Sequence, residues 1–236
     1  MNAFKSSVSS FRYERKYFLS QLTKYDVECI VKLNPAMFTE VYHQRYINNI
    51  YFDTHGFWNY NDNLEGATQR LKVRIRWYGS LFGQIERPIL ELKIKQGLLG
   101  KKISLPLAGF YFSEATDIFS IIEPIAQVQD EIGIDFRSLT PTLLNRYSRK
   151  YFESYDRHAR VTIDTNQAFY NIKSKENSFI DMRRDNTGII LELKYDQKYA
   201  SEIQYITNRF PFRITKSSKY VTGLQKVFGV STFGSR

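Results

Sequence analysis

A chain of 236 residues with 42% apolar and 25% charged residues is long enough for a substantial core and has the composition of a globular protein. Its 34 basic and 24 acidic side chains leave a formal charge of +10, which disfavours a cationic main substrate and favours phosphate, nucleic acid or a membrane surface. One cysteine, Cys29, excludes an intrachain disulfide and a cysteine-based zinc site, and His43, His55 and His158 are too scattered for a histidine cluster, so a metal here would be a hard cation held by carboxylates.

The periodicity predicts mostly short strands. The first covers 11–18, and a helix follows over 21–34 with Leu22, Tyr25, Cys29 and Val31 to Leu33 as its apolar face, stopping before Pro35. Strands are expected over 41–53, 69–78, 89–96 and 101–107, then a helix over 113–129 with Ser113 as N-cap. Further strands are expected over 143–152, 159–164, 167–172, 188–196 and 211–215, with helices over 197–209 and 217–228. This order reads as α+β, an antiparallel sheet curled into a barrel with flanking helices. No linker or repeat divides the chain, so a single domain over 1–236 is expected, with a core over 11–228 and a frayed tail from Ser231. Met1 to Ser10 lack the apolar core of a signal peptide, and no run approaches the ~20 apolar residues of a membrane span. A cytoplasmic location is the expectation.

Successive side chains of a strand point to opposite faces, and the charges here keep to one face. In Arg70 to Trp77 every even position is basic and every odd one apolar; Leu90 to Lys95 and Ile190 to Tyr195 repeat the split. Arg12, Glu14 and Lys16 share a face, as do Asn145, Tyr147, Arg149 and Tyr151, and Arg160, Thr162 and Asp164. One such strand is an ordinary half-solvated strand. Repetition over several, with one glutamate among two or more cations, points to a cation-lined lumen for a polyanion and a divalent metal, wet or occupied because burying many like charges is costly.

Arg12-x-Glu14-x-Lys16-Tyr17, Tyr51-Phe52-Asp53-Thr54, Arg74-Ile75-Arg76-Trp77-Tyr78-Gly79, Glu91-Leu92-Lys93, Tyr147-Ser148-Arg149, Arg160 to Thr165, Leu191-Glu192-Leu193-Lys194 and Lys216-Ser217-Ser218-Lys219-Tyr220 together resemble the VTC (vacuolar transporter chaperone) polyphosphate-polymerase domain of the triphosphate tunnel metalloenzymes. The resemblance runs from about residue 11 to 228 and implies a tunnel of antiparallel strands, with ATP and inorganic polyphosphate as substrates, Mn²⁺ or Mg²⁺ as cofactor and no nucleic acid. The implied catalytic cations are Lys16, Arg74, Arg76, Lys93, Arg149 and Arg160. Lys194, Lys216 and Lys219 would add phosphate contacts, Tyr147 and Ser218 hydroxyls, and Glu192, helped by Glu14, would hold the metal. Lys101 and Lys102 compete for a further cation position, and Lys102 is favoured because Ile103 and Leu105 alternate against Ser104. Arg12 stands where the hydrolytic tunnel enzymes have glutamate, which argues for transfer over hydrolysis. A membrane-protein partner receiving the product, and any oligomeric state, are left unspecified by these motifs.

Gly97 to Lys102 resembles a phosphate loop only faintly, since Lys95 and Lys102 break the pattern, and it reads as a hairpin turn. Cys29 is expected to pack, the histidines to be structural or at the surface, and Trp77 to lie in the core against a helix. Two other functions fit less well: a triphosphate hydrolase of the same fold, and a non-enzymatic binding module for polyphosphate or single-stranded nucleic acid. The glutamates among the cations weaken the second, since they make sense beside a metal rather than against a bare phosphate backbone.

Overall fold

A computed structural model describes residues 12–97, 99–126, 134–186 and 188–229; the expected frayed tail and residues 127–129 of the expected second helix lie outside these. The strands are β1 (Arg12–Leu19), β2 (Thr39–Thr54), β3 (Gln69–Tyr78), β4 (Gly83–Ile85), β5 (Ile89–Gln96), β6 (Leu99–Pro106), β7 (Phe110–Phe112), β8 (Leu139–Glu153), β9 (Ala159–Tyr170), β10 (Met182–Asp185) and β11 (Ile189–Asp196). The helices are α1 (Lys24–Lys32), α2 (Trp58–Glu65), α3 (Ile118–Ala126), α4 (Ala200–Asn208) and α5 (Lys219–Phe228).

One antiparallel sheet dominates, in the order β1-β11-β9-β8-β2-β3-β5-β6, with β10 on β9; β4 and β7 form a separate ribbon. The sheet curves into a tunnel-like trough. It is not closed into a barrel: among the described residues no ladder joins β1 to β6.

The apolar faces of the strands are covered by two cores. Tyr17, Val161, Ile163, Leu191 and Leu193 pack with Val27 and Val31 of α1 and Ile203 and Ile206 of α4. Ile50, Val73, Ile75, Trp77, Leu90 and Leu92 pack with Ile118 and Ile122 of α3 and with Phe112. Trp77 is 1% exposed. A third core lies on the charged side of the sheet, where Tyr220 and Leu224 of α5 meet Tyr51, Leu143 and Phe169. Gly223 permits this approach, because a Cβ there would collide with the side chains of Leu143 and Phe169. The N-terminus of α5 is thereby held over the trough.

Several expectations are corrected. The run 159–172 is one strand, β9, rather than two; Asn166 adopts a φ of 53° where the pairing with β8 shifts, and this bulge breaks the alternation. No strand forms over 211–215: the chain there contributes a bond from the Thr215 amide to the Lys16 carbonyl (2.8 Å) and one from the Phe18 amide to the Thr215 hydroxyl (2.9 Å). Ser113 does not cap α3; it sits in a turn, where its amide donates to Thr116 Oγ1 (2.7 Å), and the helix starts at Ile118. Helix α1 begins at a Thr23–Asp26 capping box and buries Val27, Glu28 and Val31, while Tyr25 and Leu33 are exposed and Cys29, expected to pack, is also exposed. Helix α2 and strands β4, β7 and β10 were not expected. Among the described residues no helix is long and apolar enough to cross a membrane.

Candidate functional site

Cross-strand pairing brings the charged faces together. Glu192 on β11 is flanked by Lys16 on β1 and Thr162 on β9, and Arg149 on β8 stands opposite Asp164 on β9. On the other wall Arg74 stands opposite Glu91, and Lys93 between Lys72 and Lys102. Lys16, Glu192, Arg74, Glu91 and Lys93 point into the trough because their apolar neighbours point out to the two cores, whereas Arg149, between Ser148 and Lys150, is aimed there by its bonds to Asp164.

Two carboxylate-centred clusters result. In the first, Arg149 chelates Asp164 through Nε (2.5 Å) and Nη2 (2.7 Å), and Lys219 Nζ reaches the same carboxylate at 2.5 Å. Arg149 also approaches Glu192 (3.7 Å), which Lys194 (2.9 Å) and Lys16 (3.4 Å) pair more closely. Burial alone would raise the pKa of Glu192, but Lys194, Lys16, Lys219 and Arg149 outweigh it and hold the carboxyl well below its usual range. Asp164 is likewise lowered against burial by Arg149 and Lys219. In the second cluster Glu91 receives Arg74 (2.6 Å), Lys102 (2.6 Å) and Arg76 (3.5 Å). Arg76 also donates to Asn49 (2.9 Å) and to the Tyr147 hydroxyl (3.4 Å). Burial raises the Tyr147 pKa, but Arg149 and Arg76 reverse the sign and leave it lowered.

Glu14 links the walls, pairing with Lys16 at 3.0 Å and with Lys93 of β5 at 3.5 Å. Burial opposes its ionisation, yet Lys16 and Lys194 bring its pKa down to about 2. Ser218 caps α5, accepting from the Val221 amide, and Lys16 donates to the carbonyl of Ser217 at 3.2 Å.

The structure thus gathers Lys16, Arg74, Arg76, Lys93, Lys102, Arg149, Lys194, Lys219, Tyr147, Ser218, Glu14 and Glu192 around one trough. Lys102, not Lys101, reaches Glu91. Arg160 shares the face but lies outward, exposed and paired with Glu153 at 2.9 Å; Lys216 is exposed on the loop before α5. Asp164, Asn49 and Lys72 were not singled out as site residues, and Glu91 was named only in the Glu91-Leu92-Lys93 motif and as a fallback metal ligand to Glu192. Their signal was present, since Asp164, Glu91 and Lys72 each sit in phase with named cations on the charged face.

The donor set fits a divalent cation. Glu14 and Glu192 share Lys16, and Glu192 raises the pKa of Glu14, so the two carboxylates are close. Among the described residues no group of three or more His, Cys, Asp or Glu side chains is placed to hold a metal by itself. One or two carboxylates completed by substrate phosphates and water is the usual arrangement for Mg²⁺.

The architecture has counterparts. A candidate adenylate cyclase from Vibrio parahaemolyticus superposes with a TM-score of 0.50 at 11% identity over 91% of this chain and 98% of its own. A similarly described protein from Bacillus halodurans gives 0.47 at 13% identity over 90% and 95%. No curated protein matches the chain in sequence. The VTC domain matches residues 11–228, the span that carries every strand of the trough. With its curved antiparallel sheet and triphosphate-tunnel fold, the chain belongs to the VTC domain family.

Proposed function

We propose that the protein is a polyphosphate polymerase that transfers the γ-phosphate of ATP to a growing inorganic polyphosphate chain. The observation that carries this reading is the alternation of Lys and Arg side chains along both walls of one trough with three buried carboxylates, Glu91, Asp164 and Glu192, among them. Phosphoryl transfer demands positioning and charge neutralisation more than covalent work by the protein. A terminal phosphate oxygen of the acceptor chain forms the new bond to the γ-phosphorus, the bond to the β–γ bridging oxygen breaks, and ADP leaves with the electron pair. No protein nucleophile is required.

Arg74, Arg76 and Arg149 suit the phosphate oxygens because a guanidinium donates two parallel bonds. Lys16, Lys93, Lys102 and Lys219 supply point charges along the chain, and the N-terminus of α5 adds partial positive charge. Glu192 and Glu14 would hold a Mn²⁺ or Mg²⁺ ion, which when bound neutralises charge developing between donor and acceptor. Incubating purified protein with ATP, Mn²⁺ and a short polyphosphate primer is expected to lengthen the primer and release one ADP per added phosphate. Phosphate release without chain growth would establish a hydrolase instead, and polyphosphate binding without turnover a binding module.

A further inference from the structure

Lys72 differs from the other lysines that line the walls of the trough. Its register neighbours along the wall are Lys93 and then Lys102, so three ammonium groups stand in a row. Lys102 is paired with Glu91 and Lys93 with Glu14. Among the described residues no carboxylate lies within ion-pair distance of Lys72; its contact is the Ser218 hydroxyl at 3.1 Å. Ser218 is the N-cap of α5, whose terminus is itself partly positive.

The charged groups that act most strongly on Lys72 are all cations: Lys16 from β1, Lys93 from β5, and Arg74 and Arg70 from its own strand. Burial first, and these cations next, bring its pKa down to about 7. An amine so placed is without a counter-charge until an anion arrives. Phosphate oxygens entering the trough between β3 and the α5 terminus would supply it.

Resting on the polyphosphate reading above, we propose that Lys72 is an additional phosphate-binding residue that takes up a proton from solvent when the polyanion enters. The step is R–NH₂ + H⁺ → R–NH₃⁺, with the proton drawn from the buffer and the ammonium then held by the ligand's oxygens. Above neutral pH, binding is therefore coupled to protonation and weakens as pH rises, by up to about tenfold per pH unit for one proton.

The test is isothermal titration of the whole chain with inorganic polyphosphate, without metal, from pH 6 to 9 in buffers of different ionisation enthalpy. Comparison with Lys72→Arg cancels protons that belong to the ligand, because the guanidinium stays charged throughout. The wild type is expected to take up close to one proton more than Lys72→Arg at pH 8, and Lys72→Arg to lose the part of the pH slope above 7. Lys72→Met, which removes the charge without adding bulk at the head, is expected to bind more weakly than wild type at pH 6, by a factor that shrinks as the pH rises from 7 to 9. Equal proton uptake by wild type and both variants, with polyphosphate bound, overturns the role of Lys72 and leaves the proposed function standing. Absence of polyphosphate binding by the wild type at pH 6 overturns both.

Discussion

The two carboxylate-centred clusters face each other across one trough, yet they differ in how far water reaches them. The Asp164 side chain is 0% exposed and its partners Arg149 and Lys219 are 10% and 9% exposed. Glu91 is almost as buried at 8%, but its partners Arg74 and Lys102 are 25% and 52% exposed. Around Asp164 little solvent is at hand to replace a lost partner. Around Glu91, water reaches Arg74 and Lys102 directly, and so would a phosphate oxygen, while Arg76 at 10% exposure is as buried as Arg149. Asp164 therefore holds Arg149 and Lys219 in fixed positions, while Glu91 leaves Arg74 and Lys102 open to solvent.

The largest expected effect breaks the hold of Asp164. Asp164→Asn leaves Arg149 and Lys219 facing only Glu192, and removing one partner of a buried ion pair typically costs about 3–5 kcal/mol. Chemical denaturation should show that loss. Glu91→Gln should lose less, and polyphosphate should restore more of its thermal stability, because ligand oxygens can stand in for Glu91. Equal losses in the two variants would erase the distinction.

The next effect sharpens the functional side. Arg74→Ala and Arg76→Ala are expected to keep the fold but to lower turnover ten- to a hundredfold, the equivalent of about 1.5–3 kcal/mol for a charge-assisted contact made in the transition state. Ile75→Ala, one position away on the opposite face, is expected to do the reverse, costing about 2–5 kcal/mol of stability through a core cavity. A melt and a turnover assay on all three variants check the assignment of faces.

Glu192→Gln separates charge balance from metal binding. As a metal ligand, Glu192 is required for turnover, and the variant should need more Mn²⁺ for what activity remains while still binding polyphosphate. Titrating Mn²⁺ against activity decides this, since a purely balancing carboxylate would leave the metal curve unchanged.

The smallest effect is at acid pH. Glu14 has a folded pKa of about 2 against an unfolded value near ~4.3, so its contribution is present above the unfolded pKa and lost as pH falls toward 2. Glu14→Gln should therefore flatten the stability profile between roughly pH 4 and 2 and be less stable than wild type at neutral pH by the amount the wild type gains over that interval. Acid titration followed by circular dichroism measures it.

Much of this was legible in the sequence where alternation was strict. Strands β3, β5 and β11 carry charge on one side and Ile, Leu or Val on the other, and that pattern alone places Arg74, Arg76, Glu91 and Glu192 together. Legibility failed where tertiary contacts decide. Helix α2, with its polar Asn-rich sequence, has no apolar stripe; its first turn is held by the Asp53 carboxylate, which accepts from the amides of Asn59 (2.9 Å) and Tyr60 (2.8 Å) and from the Tyr220 hydroxyl. The segment 211–215 alternates like a strand, but Pro211 lacks a donor and β1 accepts only its far end. Lys72 was visible as a member of the charged face, but its neighbours Lys93 and Lys102 follow from the strand register, and its contact with Ser218 depends on the approach of α5, some 146 residues later in the chain.

The gap between β1 and β6, which no ladder joins among the described residues, has a mechanical consequence. Because no backbone ladder closes the sheet, the Lys93–Glu14 pair acts as a clasp between its first strand and its β5 hairpin, and with Lys93 64% exposed that clasp is screened by salt. The hold between the first strand and the β5 hairpin is therefore expected to weaken as ionic strength rises.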